Sequence, residues 1–125
     1  MTSKIIIIAD KKKAAIDSIN QYLHEHGYEV KVVYDGLDGL NAVRQEKPDL
    51  VLIEPALPGF NGFQICSLLK YDIKYEDIIV IMLSDSSSDR EKQLADSSGS
   101  DGILTTPIDL NELLGILKTI DLKNE

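Results

Sequence analysis

A doubly wound, three-layer α/β domain with five parallel strands is the fold class this sequence predicts, and three observations carry that expectation. Short apolar runs, mostly β-branched, recur at residues 5–8, 30–34, 50–53, 78–83 and 103–104 and read as strands. Runs one, three and four are continuously apolar instead of alternating, the pattern of strands covered on both faces of a parallel sheet. Helical apolar spacing fills the stretches between them, so strand and helix alternate five times. Right-handed crossovers then leave few topologies.

Each helix has its own evidence. Ile16, Ile19 and Leu23 recur at helical spacing, and Gly27 follows as a C-terminal stop. Leu37, Leu40 and Val43 mark a second helix that ends before Pro48, and Phe63, Ile65, Leu68 and Leu69 mark a third. The fourth, about residues 87–96, has only Leu94 and Ala95 as apolar anchors and should be the least stable. The fifth, about 109–120, turns Leu110, Leu113, Leu114 and Leu117 inward.

The 125 residues make one domain, spanning 1–125, long enough to bury a core. Apolar content of 43% and charged content of 27% are ordinary for a globular chain. A formal net charge of −8 argues against nucleic acid and against anionic membranes, because both are themselves negative. No apolar run approaches the ~18 residues that span a bilayer. The opening MTSKIIIIADKKK is too short in its apolar part for a secretory signal. A lone Cys66 forms no internal disulfide and builds no zinc site, and it is expected as a small packing residue. A cytoplasmic location fits these features. His24 and His26, spaced i,i+2, do not share a helix side, so metal binding there is not expected. Gly36 and Gly39 lack a dinucleotide fingerprint.

In a doubly wound sheet, ligands bind outside the carboxyl ends of the strands. Those ends carry Ala9 and Asp10, Glu54, Ser84 and Asp85, and Thr105, Thr106 and Pro107. If strands one and three are neighbours, their backbones lie ~4.8 Å apart. Asp10 and Glu54 would then need a cation or a proton between them, and Mg²⁺, which seeks oxygen, would serve.

The segments KIIIIADKKK, PDLVLIEPALPGFNGFQIC, VIMLS and DGILTTPID resemble, in order and spacing, the receiver domain of bacterial two-component response regulators. The resemblance spans essentially the whole chain. It implies a flavodoxin-like sheet of order 2-1-3-4-5 and self-catalysed phosphotransfer to an Asp, with two further acids on Mg²⁺, a Lys on the phosphoryl oxygens and a Ser/Thr sensing the phosphate. Several of the matching positions depart from that pattern. Glu54 stands at the phosphoacceptor, Ala9 at the first acid, Thr106 at the Lys and Ile103 at the switch aromatic, while Asp10 and Ser84 are retained. The longer side chain places the Glu54 carboxylate about 1.5 Å further out. A displacement of roughly that size costs about a hundredfold in a positioned reaction. Ala9 weakens the metal site and Thr106 removes a fixed charge.

The reading is therefore a pseudo-receiver: a signalling module that acts by protein–protein interaction, is not an enzyme, and needs no cofactor, with Mg²⁺ bound at most weakly. One alternative is a competent phosphoreceiver holding Mg²⁺ through Asp10, Glu54 and the Ala56 carbonyl. The other is a constitutive mimic in which Glu54 projects its charge towards Ser84. Lys11, Lys12 and Lys13 open the first helix, where a cation is unfavourable by about 0.3–1 kcal/mol. One of them is expected to lean over the acidic pocket; otherwise all three are solvated.

The resemblance also implies a partner face at 84–120, acidic here through Asp89, Glu91, Asp96, Asp101 and Glu112. Its partner would be a histidine kinase, an output domain, another regulator or a second copy, with no nucleic acid and no membrane. Tyr71 and Tyr75 are candidate exposed anchors, or are partly buried against the sheet edge. The Thr106–Pro107 bond is expected to be cis by the same resemblance.

Overall fold

Apolar segments with no polar face can hide both sides only in a sheet covered by helices above and below, and the chain folds in that way. The computed structural model describes residues 3–9, 14–85 and 88–123, with Ala14 and Ala15 as backbone alone. Its elements run β1 (Lys4–Ile8), α1 (Ala14–Glu25), β2 (Glu29–Val33), α2 (Gly36–Glu46), β3 (Leu50–Ile53), α3 (Gly62–Lys70), β4 (Ile79–Ser84), α4 (Asp89–Ser97), β5 (Gly102–Thr105) and α5 (Leu110–Lys123). All strand pairs are parallel, in the order β2-β1-β3-β4-β5. The flavodoxin-like topology expected from the sequence is the one observed.

Alternate strand residues point to opposite faces, and this builds two cores. Ile5, Ile7, Leu50, Leu52, Ile81 and Leu83 pack under Ile16, Ile19 and Leu23 of α1 and Leu113, Leu117 and Ile120 of α5. Ile6, Ile8, Val51, Ile53, Val80 and Met82 pack under Leu40 and Val43 of α2, Ile65, Cys66 and Leu69 of α3, and Ala95 of α4. Burial pushes the Cys66 thiol above its ordinary value, in keeping with a packing residue. Among the described residues, no helix is long and apolar enough to cross a membrane.

Several boundaries and faces differ from the expectation. β4 begins one residue later and runs on to Ser84, α4 is shifted to Asp89–Ser97, and α5 extends to Lys123. Leu37, Leu68, Leu94 and Leu110, expected inward, are all exposed. In α2 the inward stripe is Gly36, Gly39, Leu40 and Val43. Gly39 lets the helix settle on Ile8, whose Cδ1 lies 2.6 Å from where a Cβ would stand. Leu37, one step round from Gly36, falls on the flank.

Caps explain the helix ends. Asp35 accepts from the Asp38 N–H at 2.8 Å and starts α2. That bond lowers the Asp35 pKa, while a side-chain hydrogen bond with Asp35, and then its charge, raise that of Asp38. α2 ends at Lys47 with φ 45°, because Pro48 disfavours a right-handed helical residue before it. α1 stops at Gly27, φ 85°, where a left-handed turn suits glycine.

The Tyr28 hydroxyl donates to Asp121 Oδ2 at 2.9 Å and ties the start of β2 to α5. Burial first, and then this bond, push the phenol up to about 12. A raised phenol favours the protonated folded form. Its contribution is full below the ordinary value of 10.0 and fades as pH climbs towards about 12. An absorbance titration of tyrosinate should show a late-ionising step, and Tyr28→Phe should remove that step. An unchanged late step in Tyr28→Phe would refute the assignment.

Candidate functional site

Parallel strands deliver all five of their carboxyl ends to one edge of the sheet. β1 and β3 are neighbours, with Ile8 level with Ile53. Ala9 and Glu54 follow them directly. The Glu54 N–H donates to the Ile8 carbonyl at 2.9 Å, which carries the ladder one step beyond the strand. Glu54 is only 8% exposed, so the residue is buried where β3 ends.

The loop after Glu54 is built to turn back tightly. The Gly62 N–H donates to the Pro55 carbonyl at 2.8 Å, and a Cβ on Gly62 would lie 2.2 Å from the Glu54 carbonyl oxygen. α3 then starts on a reciprocal cap. The Asn61 side chain accepts from the Gln64 N–H, and the Gln64 side chain accepts from the Asn61 N–H, both at 2.9 Å. Pro58, Gly59 and Phe60 are exposed at the loop tip.

Ser84, 1% exposed, ends β4. Its hydroxyl donates to Glu91 Oε2 of α4 at 2.7 Å. β5 runs beside it, with Ser84 level with Thr105. The Thr106 N–H donates to the Ser84 carbonyl at 2.7 Å, and the Thr106 hydroxyl approaches the same oxygen at 3.4 Å. The Thr106–Pro107 bond is cis, as expected. Ile103, level with Met82, is half-buried against the α2–α3–α4 core.

The fold thus brings Ala9, Glu54, Ser84 and Thr106 to one edge, as read from the sequence. Asp10, Lys11, Lys12 and Lys13 lie outside the described residues. The expectation of a lysine over the pocket lies there with them, as does Asp10 of the expected ligand set Asp10, Glu54 and Ala56. Among the described residues, no group of three or more His, Cys, Asp or Glu side chains could hold a metal ion.

Two long-range polar arrangements escaped sequence reasoning. Glu91 and Asp101, expected on the acidic partner face, both make hydrogen bonds inside the domain. Glu91 takes the Ser84 hydroxyl; the S-x-x-E spacing from the N-cap Ser88 marks a helix start but not this partner. Asp101 Oδ2 accepts from the Val80 N–H at 2.8 Å and from Lys70 Nζ at 2.9 Å. Lys70 Nζ also donates to the Glu76 and Ile78 carbonyls, at 2.7 and 2.9 Å. No spacing announced that bond set.

Tyr71 and Tyr75 divide between the two expected roles. Tyr71 is 72% exposed and donates to the Ser97 carbonyl at 3.1 Å, whereas Tyr75 packs on the second core. His26 is engaged locally: its Nδ1 lies 2.8 Å from the Tyr22 carbonyl and its ring stands 4.1 Å from the Tyr22 ring.

The family model described as "Response regulator receiver domain" matches residues 6–118. Among solved structures, a putative response regulator from Chloroflexus aurantiacus is 22% identical, with a TM-score of 0.88 over 96% of this chain and 98% of that one. A CheY-like receiver domain protein from Methanospirillum hungatei is 24% identical, with a TM-score of 0.86 over 99% and 98%. The receiver domain of the Francisella response regulator 1452 is 26% identical, with a TM-score of 0.83 over 99% and 100%. The first two likenesses, at that identity, speak for the fold alone.

Proposed function

Because the chain belongs to the response regulator receiver domain family of two-component signalling, we propose that it is a pseudo-receiver that signals through protein contact without being phosphorylated. The observation that carries this reading is the chemistry at the strand ends. Glu54, Ala9 and Thr106 occupy the places where the resemblance calls for an Asp, an acid and a Lys. A phosphoryl group entering here would meet a carboxylate one methylene too long and no fixed cation at Thr106.

Mg²⁺ fits the described part of the site poorly. It keeps near-octahedral oxygen coordination, and the Ala9 methyl offers no oxygen. Glu54 and the Ala56 carbonyl are the oxygens that could approach an ion there, with Asp10 as the further ligand. Any bound metal would supply charge neutralisation between carboxylates and nothing more. Binding at most weak, and no enzymatic turnover, belong to the same proposal.

The Ser84–Glu91 bond favours this reading over a constitutive phosphate mimic, because it directs the hydroxyl to α4. Receiver domains work with histidine kinases and output domains, and the partner here is proposed to be one of these or another regulator, met in the cytoplasm through the 84–120 surface. A homodimer through the same surface is the variant form. With Glu91 and Asp101 engaged internally, the named acids of that face that stay outward are Asp89, Asp96 and Glu112, which share it with the exposed cations Arg90, Lys92 and Lys118.

Amide spectra recorded with Mg²⁺, then with beryllofluoride, test the proposal. Only weak, unsaturated changes are expected. Saturable shifts centred on Glu54 and Ser84 would overturn the pseudo-receiver and establish a competent phosphoreceiver.

A further inference from the structure

A helix with little apolar area must be held by something else, and α4 is such a helix. Among the described residues it buries only Ala95, and Leu94 beside it is 37% exposed. Its polar attachments are unevenly placed. The C-terminal end is tied down several times. Tyr71 donates to the Ser97 carbonyl at 3.1 Å, Ser67 to the Ser98 carbonyl at 3.4 Å, and Ser100 to the Ala95 carbonyl at 2.9 Å. Asp101, just beyond, is fixed by Lys70 and by the Val80 N–H. At the N-terminal end, among the described residues, a long-range attachment is the bond from the Ser84 hydroxyl to Glu91, at 2.7 Å.

That bond has the features of a strong one. It is short, its acceptor is a carboxylate, and its donor is 1% exposed. Glu91 also lies in the first turn of α4, where its charge suits the helix dipole and its N–H is capped by the Ser88 hydroxyl at 3.2 Å. One carboxylate therefore joins the helix start to the end of β4.

We propose that the Ser84–Glu91 hydrogen bond is a latch that sets the position of the N-terminal half of α4, while the C-terminal end of the helix serves as a fixed pivot. Glu91 is a positioning residue for this face. Opening the latch frees one end of the helix and leaves the sheet and the pivot in place. The inference stands apart from the pseudo-receiver reading, because it requires neither a phosphoryl group nor a particular partner.

Hydrogen exchange along α4 tests it. Glu91→Met keeps chain length and helix preference but accepts no hydrogen bond, and Ser84→Ala removes the donor. Each should speed exchange of the amides of residues 92–95 by roughly ten- to a hundredfold, the range expected for a hydrogen bond to a charged group. Exchange in β1, β3 and β4 and at Asp101 should hold. The double variant should add little to either single change. Glu91→Gln, which still accepts a hydrogen bond, should restore most of the protection, whereas a pure helix-dipole role for Glu91 would leave Glu91→Gln as fast as Glu91→Met. Additive effects of the two single variants, unchanged exchange in both, or acceleration spread evenly through the sheet would each overturn the latch.

Discussion

Replacing Lys70 with methionine is expected to lower the unfolding free energy by about 2–3 kcal/mol. The ammonium group is the centre of a knot between three segments. It donates to the carbonyls of Glu76 and Ile78 in the connection to β4, and to Asp101, which precedes β5. The Lys70 side chain is only 13% exposed, so water cannot easily take its place. Methionine fills the volume of the stem but takes the ammonium donor from both carbonyls and leaves the carboxylate with the Val80 N–H. Asp101, 38% exposed, retains some hydration, which keeps the loss below that of breaking a fully buried pair. Asp101→Asn should cost less, since an amide oxygen can still accept from the Val80 N–H. Urea unfolding reads both effects: the midpoint should fall with little change in slope. A midpoint for Lys70→Met within error of the parent protein would show that the knot contributes nothing.

Lys70 also marks where sequence reasoning stops. Order and face were legible wherever one local pattern had one structural solution. Continuous runs such as IIII and LVLI could only be central strands, and the five alternations gave the sheet. Strand ends follow from that, so the sequence already places Ala9, Glu54, Ser84 and Thr106 together. What failed were features set by distant partners. Lys70 meets Asp101 across 31 positions, and nothing near either residue signals it. Glu91 lies on a helix whose composition reads as solvated, and only the position of the β4 end makes it an acceptor. Leu37 misled for another reason. Large apolar residues predict the buried stripe of α2, whereas close approach to Ile8 requires glycine there. A stripe of small residues is silent to a hydrophobicity pattern, although it packs as well as leucine.

The same dependence on close approach gives the second large effect, at Gly62. Gly62→Ala is expected to destabilise the domain by about 3 kcal/mol, near the upper end for overpacking. The new Cβ would lie 2.2 Å from the Glu54 carbonyl oxygen, 2.9 Å from its carbon and 3.0 Å from Pro55 Cα. Those are backbone atoms, held by the Glu54 N–H bond to Ile8 and by the Gly62 N–H bond to Pro55, so no flexible side chain can yield. Either the loop or α3 must move, and both movements displace Glu54 from the strand end. Gly115→Ala is the control for chemistry without crowding. That glycine lies inside α5 with nothing within 4 Å of a built Cβ. There alanine should stabilise by roughly 0.5–1 kcal/mol, the usual gain over glycine in a helix interior. One substitution type is thus expected to change sign between two helices. Amide shifts should follow the same division, large at Glu54 and Ser84 for Gly62→Ala and confined to α5 for Gly115→Ala. Equal stability of the two variants would mean that the turn after Glu54 is not closed against Gly62, and the buried seat of that acid would have to be redrawn.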